Sequence, residues 1–462
     1  MSMKYLRNLL SVVISILALS SVCFAGNEAL DTDESVIMVY QAERKGSFLS
    51  EPGNVPIEFL RRVGRALNKT WPIDLANISA ASIFEYNKVG KPDFLKPRKL
   101  AELNKEQKKT ANELLGRYSS DAEELLQEIK PGEKCILMRA AAETEPLVEI
   151  FKEISDGKKF PGVIKQDQVY KVKNQLIPLL ESSDYIICAA VLSEDGFEAR
   201  LRIKSLDGKL ANPAINHSLT IGKMINPDSL MAFAQTHPIE NPAEVMAELM
   251  QMPQTESIKN MIASAGMDME KDLIANGARE SILYFNFEPT GEGGIPDVRF
   301  IAPIPDVKKL KSNLENLKQL CMQLGIFVKP IEQKFPLVRL SYFMFPQYGV
   351  YAGLIDEFLA LATSDENLVK EMEFIKAVKS GKAEGEKIDD NLQRYWRVSF
   401  EDFNLQLQKF LQSPLMVSKG VPPITNLTML DDLNDLKILT RLQPSSLDFS
   451  VFLPVKESKK TK

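Results

Sequence analysis

Ile186-Ile-Cys-Ala-Ala-Val-Leu-Ser-Glu-Asp-Gly196-Phe-Glu-Ala-Arg-Leu-Arg-Ile203 is the stretch that decides the fold class. Ile186, Cys188, Ala190 and Leu192 alternate before the turn Ser193-Glu-Asp-Gly196, and Phe197, Ala199, Leu201 and Ile203 alternate after it. Alternation of period two on both sides of a glycine-containing turn is the pattern of a β-hairpin. Its charged partners Glu198, Arg200 and Arg202 predict one buried and one wet face, as in an antiparallel sheet. Moving 250 positions along the chain lands on a second such hairpin: Leu436, Ile438, Thr440 and Leu442, then Leu447, Phe449, Val451 and Leu453.

Other segments repeat more loosely. Glu34-Ser35 with the apolar run Val36–Tyr40 resembles Glu280-Ser281 with Ile282–Phe285. Each run leads to a helix opened by an Asn or Asp that satisfies orphan backbone N–H groups: Asn54-Val55-Pro56 for one, Asp306 for the other. The first helix carries Ile57, Leu60, Val63 and Leu67, and the second an apolar stripe of Leu310, Leu314, Leu317, Cys321 and Leu324. Cys135–Met138 with the helix from Glu145 parallels Phe358–Leu361 with the helix from Asn367, each closed by a glycine, Gly157 or Gly381. Between the copies, residues 222–277 read as a helical insert, with Asn226-Pro227-Asp228 and Asn241-Pro242-Ala243-Glu244 as cap-and-proline starts.

These elements predict an α+β fold: two lobes of antiparallel sheet with helices on one face, an internal duplication, and the helical insert between them. The expected boundaries are a leader at 1–25, a first lobe at 26–213 and a second lobe at 214–462 that opens with the insert.

The leader reads as a secretory signal. Lys4 and Arg7 precede a 14-residue apolar run, Leu9 to Val22, which is shorter than the roughly 20 residues a bilayer span takes. Cleavage is expected between Ala25 and Gly26. Lipidation at Cys23 is the competing outcome, disfavoured by the branched Val22 before it. The mature chain is therefore expected in the periplasm or outside the cell, with no transmembrane span once the leader is removed. Cys135, Cys188 and Cys321 remain, too few for a disulfide framework, although a bridge between the strand residues Cys135 and Cys188 stays open.

Composition narrows the function further. The 57 basic against 62 acidic side chains give a net charge of −5, which argues against a nucleic-acid partner. There is no HExxH, GxSxG, Walker or GxGxxG motif, and Gly291-Glu-Gly-Gly294 has no helix after it to make a phosphate cradle. His217 and His237 are the chain's two histidines, and both sit in loop-like contexts. The oxygen-rich Asp431-Asp432-Leu433-Asn434-Asp435 lacks the spacing of a calcium loop. No catalytic residue, metal site or cofactor is implied. Methionine is the anomaly: eight of 17 fall between Met224 and Met269. Flexible thioethers suit a surface that grips apolar partners, which makes Met246, Met250 and Met252 the candidate apolar-binding residues, against gap-filling between the lobes as the plainer role.

Ala265–Leu273 with the strand 282–287 and the helix start Asp306-Val307, Tyr351–Leu368, and the turn Leu192–Gly196 resemble a family of exported bacterial proteins grouped only as a domain of unknown function. The resemblance covers roughly residues 130–375 and rests on structural motifs. It implies bacterial export and an α+β fold, and supplies no catalytic residues. The expectation is a non-enzymatic envelope protein that binds or scaffolds an envelope partner. The alternatives are a periplasmic carrier of a lipid or apolar peptide, and a hydrolase of unfamiliar type.

Overall fold

The computed structural model describes principally residues 105–155, 176–210, 218–236, 255–290, 295–413 and 433–456, save isolated positions, and the backbone of strands at 34–45, 82–87 and 95–99. The expected leader with Cys23, Ala25 and Gly26, the helix from Asn54, His217, His237, Asn241–Glu244, the methionines at 246, 250 and 252, Gly291–Gly294, and Asp431 and Asp432 lie outside the described residues.

The fold is α+β with antiparallel sheet, and the chain divides into two compact units. In chain order the first unit holds β1 (Glu34–Lys45), β2 (Ser82–Asn87), β3 (Leu95–Lys99), α1 (Lys105–Arg117), α2 (Ser119–Ile129), β4 (Cys135–Glu143), α3 (Thr144–Ser155), α4 (Ile177–Glu181), β5 (Ser183–Ser193) and β6 (Gly196–Ser205). The second holds β7 (Met231–Thr236), α5 (Thr255–Ser264), β8 (Glu280–Thr290), β9 (Ile295–Pro303), α6 (Val307–Ser312), α7 (Leu314–Gln323), β10 (Ile326–Glu332), β11 (Pro336–Tyr342), β12 (Gly349–Ile355), β13 (Phe358–Ala362), α8 (Asp365–Lys379), β14 (Leu392–Val398) and α9 (Phe403–Leu411). The final hairpin, β15 (Leu436–Gln443) and β16 (Ser446–Pro454), returns to the first unit.

That return corrects the boundary read from sequence, which put the last hairpin in the second lobe. The first unit comprises residues 1–212 and 432–462, and the second 213–431. β16 pairs antiparallel with β6 from Ser446↔Lys204 to Pro454↔Gly196, burying Leu447, Val451 and Leu453. The first unit's strand order is thus β15-β16-β6-β5-β4-β1-β2-β3. The 250-residue offset holds at both turns, Ser193/Gly196 and Gln443/Ser446, and Arg200 pairs with Ser450 across the centre. Elsewhere the two segments compared differ. β4 and β5, joined through α3 and α4, pair directly, whereas β13 and β14, joined through α8, are separated by β9, β8 and β7.

Gly196 is fixed by this return. Its φ is +136°, a conformation side chains rarely take, and a Cβ there would lie 2.3 Å from the Leu453 carbonyl oxygen and 2.7 Å from Pro454 Cα. Both obstacles are backbone and cannot rotate away. Gly196→Ala is expected to cost about 2–4 kcal/mol, measured by chemical denaturation.

The face of β6 expected to be wet is roofed. Helix α2 buries Ala122, Leu125 and Leu126 and turns its acids onto the sheet. Arg202 holds Asp448 through two nitrogens, at 3.0 and 3.1 Å, and Glu124 at 2.9 Å, while Arg200 pairs with Glu128 and Glu198. The alternation was charged because its partners are charged, not because water lies there. On the same face Leu114, Leu125, Leu137, Ile187 and Val191 form a core with Tyr118 stacked on Tyr185, ring centroids 4.0 Å apart. Cys135 and Cys188 are not bridged to each other: they face Ser193 and Ala140 in the β4–β5 ladder, too far out of register for a disulfide.

The supposed helical insert holds a strand. Asn226 does not cap a helix; its Oδ1 accepts from the Asp228 amide at 3.0 Å, closing a turn, and its own amide donates to Tyr284 Oη at 2.9 Å. The chain then enters β7, which pairs with β8 on one side and β14 on the other. Its interior positions are filled by Ala232 and Ala234, residues with little strand preference, so Met231–Thr236 carries little strand signature. The rest of the described insert is a 3₁₀ turn at Ile221–Met224, α5, and a π-helical turn at Met269–Ile274 capped by Asp268.

Candidate apolar docking surface

The second unit orders its strands β10-β11-β12-β13-β9-β8-β7-β14, and its two faces differ in kind. One carries the cross-strand row Tyr395–Ala234–Ile282–Ile301–Ala360–Gly353–Leu337, all buried. Helix α8 seals it with Leu368, Met372 and Ile375, and a Cβ on Gly353 would meet Leu337 Cδ2 at 2.7 Å and Met372 Sδ at 2.9 Å. The opposite face carries the row Trp396–Phe233–Leu283–Phe300–Leu361–Ala352–Val338–Pro330. It is apolar throughout, yet most of its members are only half-buried. Trp396 meets Phe233 edge-on at 6.0 Å, with its indole nitrogen buried and without a hydrogen-bond partner among the described residues.

Toward β10 large apolar side chains become exposed. The β11–β12 turn presents Tyr342, Phe343, Met344 and Phe345 at 42–60% exposure, and Val350 beside Leu340 stands at 40%. Phe327 on β10, Met322 on α7 and Leu324 just past its end are exposed between 44% and 59%. The tyrosine and phenylalanine rings pack on each other, with centroids 4.9 Å apart for Tyr342–Phe343 and 6.4 Å for Tyr342–Phe345. Glycine seats them: Gly325, with φ at +74°, leaves the space where a Cβ would touch Phe343 Cδ1 at 2.7 Å.

The leucine stripe continues this surface instead of forming core. The helix it predicted is broken at Asn313 into α6 and α7, and neither piece contributes a buried residue. Leu314 is 48% exposed, and Cys321 is half-buried. Large apolar groups exposed together in this way mark a contact surface, whereas scattered single ones do not.

The polar interior of the same unit is the other place chemistry could reside. Arg299 sits between two carboxylates, donating to Glu371 Oε2 at 2.6 Å and lying 3.3 Å from Asp297 Oδ2. Asn286 donates to Asp297 at 2.7 Å and accepts from the Leu230 amide at 2.7 Å. Arg299 also stacks over Tyr284, whose hydroxyl donates to the Met224 carbonyl. Burial pushes the Glu371 carboxyl up to about 7 against the opposing pull of Arg299. A neighbouring cluster joins Arg397 to Glu386 at 3.1 Å and to the Ser229 carbonyl at 2.7 Å. The side chains of Glu371 and Asp297 are 1% and 4% exposed, so no substrate reaches this carboxylate pair in the folded state.

The candidate residues read from sequence at 246, 250 and 252 lie outside the described residues, as do both histidines. Of the other methionines in that stretch, Met231 and Met267 are interior. The exposed surface formed by Phe327, Tyr342–Phe345 and the α7 stripe was not singled out in the sequence. Its available signal was the run Tyr342-Phe-Met-Phe345 placed in a turn, where apolar runs are out of place.

No family model matches the chain, and no curated protein matches it. Among solved structures it is similar to crystal form I of TP0453, at 8% identity and a TM-score of 0.22, over 50% of this chain and 75% of that one. A likeness of that size carries no argument. No helix among the described residues is long and apolar enough to cross a membrane.

Proposed function

We propose that this chain is an exported bacterial envelope protein that acts by binding, without chemistry of its own, through the apolar end of its second unit. The observation that supports the reading is the exposed turn of Tyr342, Phe343, Met344 and Phe345, whose rings pack on one another and whose apolar area costs solubility unless something covers it. In this reading the two lobes share an origin, as the repetition in the sequence suggests, while the hairpins whose turns match, β5–β6 and β15–β16, both belong to the first unit. The half-buried row from Trp396 to Pro330 favours one variant, a carrier of a lipid or apolar peptide held against that face. A hydrolase gains no support from the described residues, whose buried carboxylate pair is sealed.

The test is made in the native envelope. A photoreactive phenylalanine analogue at position 343 is expected to form adducts in the exported fraction, on a chain whose mass places its first residue at Gly26. Recovery of the chain in the cytoplasm with its leader intact, or a position 343 that forms no adduct, sinks the proposal.

A further inference from the structure

Taking the binding reading as its basis, we infer that the partner of this surface is an anionic lipid bilayer, with the turn Tyr342–Phe345 as the inserted wedge. Part of the wedge's backbone is already paired from within. The Phe343 amide donates to the Gly325 carbonyl at 2.9 Å, the Phe345 amide to Tyr342 at 3.0 Å and the Tyr348 amide to Phe345 at 3.0 Å. Arg339 Nη2 donates to the Pro346 carbonyl at 2.9 Å. Each backbone group paired internally is one fewer left open in a medium that offers no hydrogen bonds. Phe343, Met344 and Phe345 supply the apolar edge, and Tyr342 and Tyr348 flank it with the amphipathic ring that favours the headgroup level.

Charge points to the same partner. Residues 306–350, which carry the wedge, hold six lysines and one arginine against three acids, in a chain whose net charge is −5. Lys308, Lys311 and Lys329 are exposed, while Lys309, Lys318 and Lys334 pair with Asp272, Glu315 and Glu373. A local cationic segment beside an apolar tip, in an otherwise acidic chain, complements acidic headgroups. A protein adding a strand to β10 would meet Lys329 and Pro330 on that edge, the usual means of blocking such pairing.

The experiment uses the full chain and vesicles of phosphatidylcholine with 30% phosphatidylglycerol, some carrying brominated acyl chains. Phe343→Trp reports insertion, with the wild-type chain subtracting Trp71 and Trp396, and Phe345→Trp serves if the first variant misfolds. Leu405→Trp, on an exposed residue of α9 in the same unit, is the control. The expected result is that bromine quenches the tip tryptophan at least twofold on anionic vesicles, leaves Leu405→Trp unchanged, and quenches the tip much less on neutral vesicles. An unquenched tip, or equal quenching at position 405, overturns the wedge. If the tip stays unquenched while position 343 crosslinks to an envelope protein, the bilayer is wrong and the binding reading survives. If neither occurs, both fail.

Discussion

Glu371→Ala is expected to destabilise the second unit by about 3–5 kcal/mol, because it removes the buried acceptor of the 2.6 Å hydrogen bond from Arg299 and opens a cavity beneath α8. Glu371→Gln keeps the shape and is expected to cost about 1–2 kcal/mol. The pair of variants also reads out a proton. One cation stands between two buried carboxylates, and Asn286 donates to Asp297, so the proton that relieves the excess charge resides on Glu371. Its carboxyl is pushed from 4.5 to about 7 in the folded chain. Between those values the folded state binds the proton and the unfolded state does not. The stability this proton contributes is therefore full below pH 4.5 and is lost as pH rises through 7. Comparing wild type with Glu371→Gln by chemical denaturation at pH 5 and pH 8, the wild type should lose on the order of 2–3 kcal/mol relative to the variant. A difference between the two that is independent of pH would show that Glu371 is ionised throughout.

What the sequence disclosed and what it hid follow from how far each determinant reaches. The β5–β6 hairpin was legible because alternation and a positive-φ glycine are local, and β15–β16, whose turn has no glycine, was legible from its alternation alone. The sheet that β15–β16 joins was not, because strand order is decided by contacts between residues some 250 positions apart, such as Arg202 with Asp448. Asn226-Pro227-Asp228 misled for a physical reason: the side chain that caps a helix also closes a turn, and what selects the turn is Tyr284, 58 residues away. The apolar surface was hidden in a different way. A leucine stripe at helical spacing reads the same whether it faces a core or a partner, and only the packed chain shows that α7 buries none of it.

Removing residues 433–462 is expected to unfold the first unit. The deletion takes away Ile438, Leu439, Leu447, Val451 and Leu453, all at least nine-tenths buried, and with them about 7–15 kcal/mol as an upper estimate of apolar burial. Typical domains hold about 5–15 kcal/mol in total, so little would remain. Two further losses act in the same direction: Arg202, at 11% exposure, forfeits its two-nitrogen grip on Asp448, and β6 loses its ladder from Gly196 to Lys204. Hydrogen exchange separates this outcome from its rival. If the hairpin completes the first unit, amides of β5 and β6 lose at least a hundredfold of protection while those of β8 and β9 keep theirs. Were the hairpin instead the tail of the second lobe, as the order of the chain suggests, the pattern would reverse, with exchange rising in β8 and β9 and unchanged in β5. The experiment thus asks whether a chain's last strands stabilise the segment they follow or the one they were made 230 residues after, and the β6–β16 ladder requires the second.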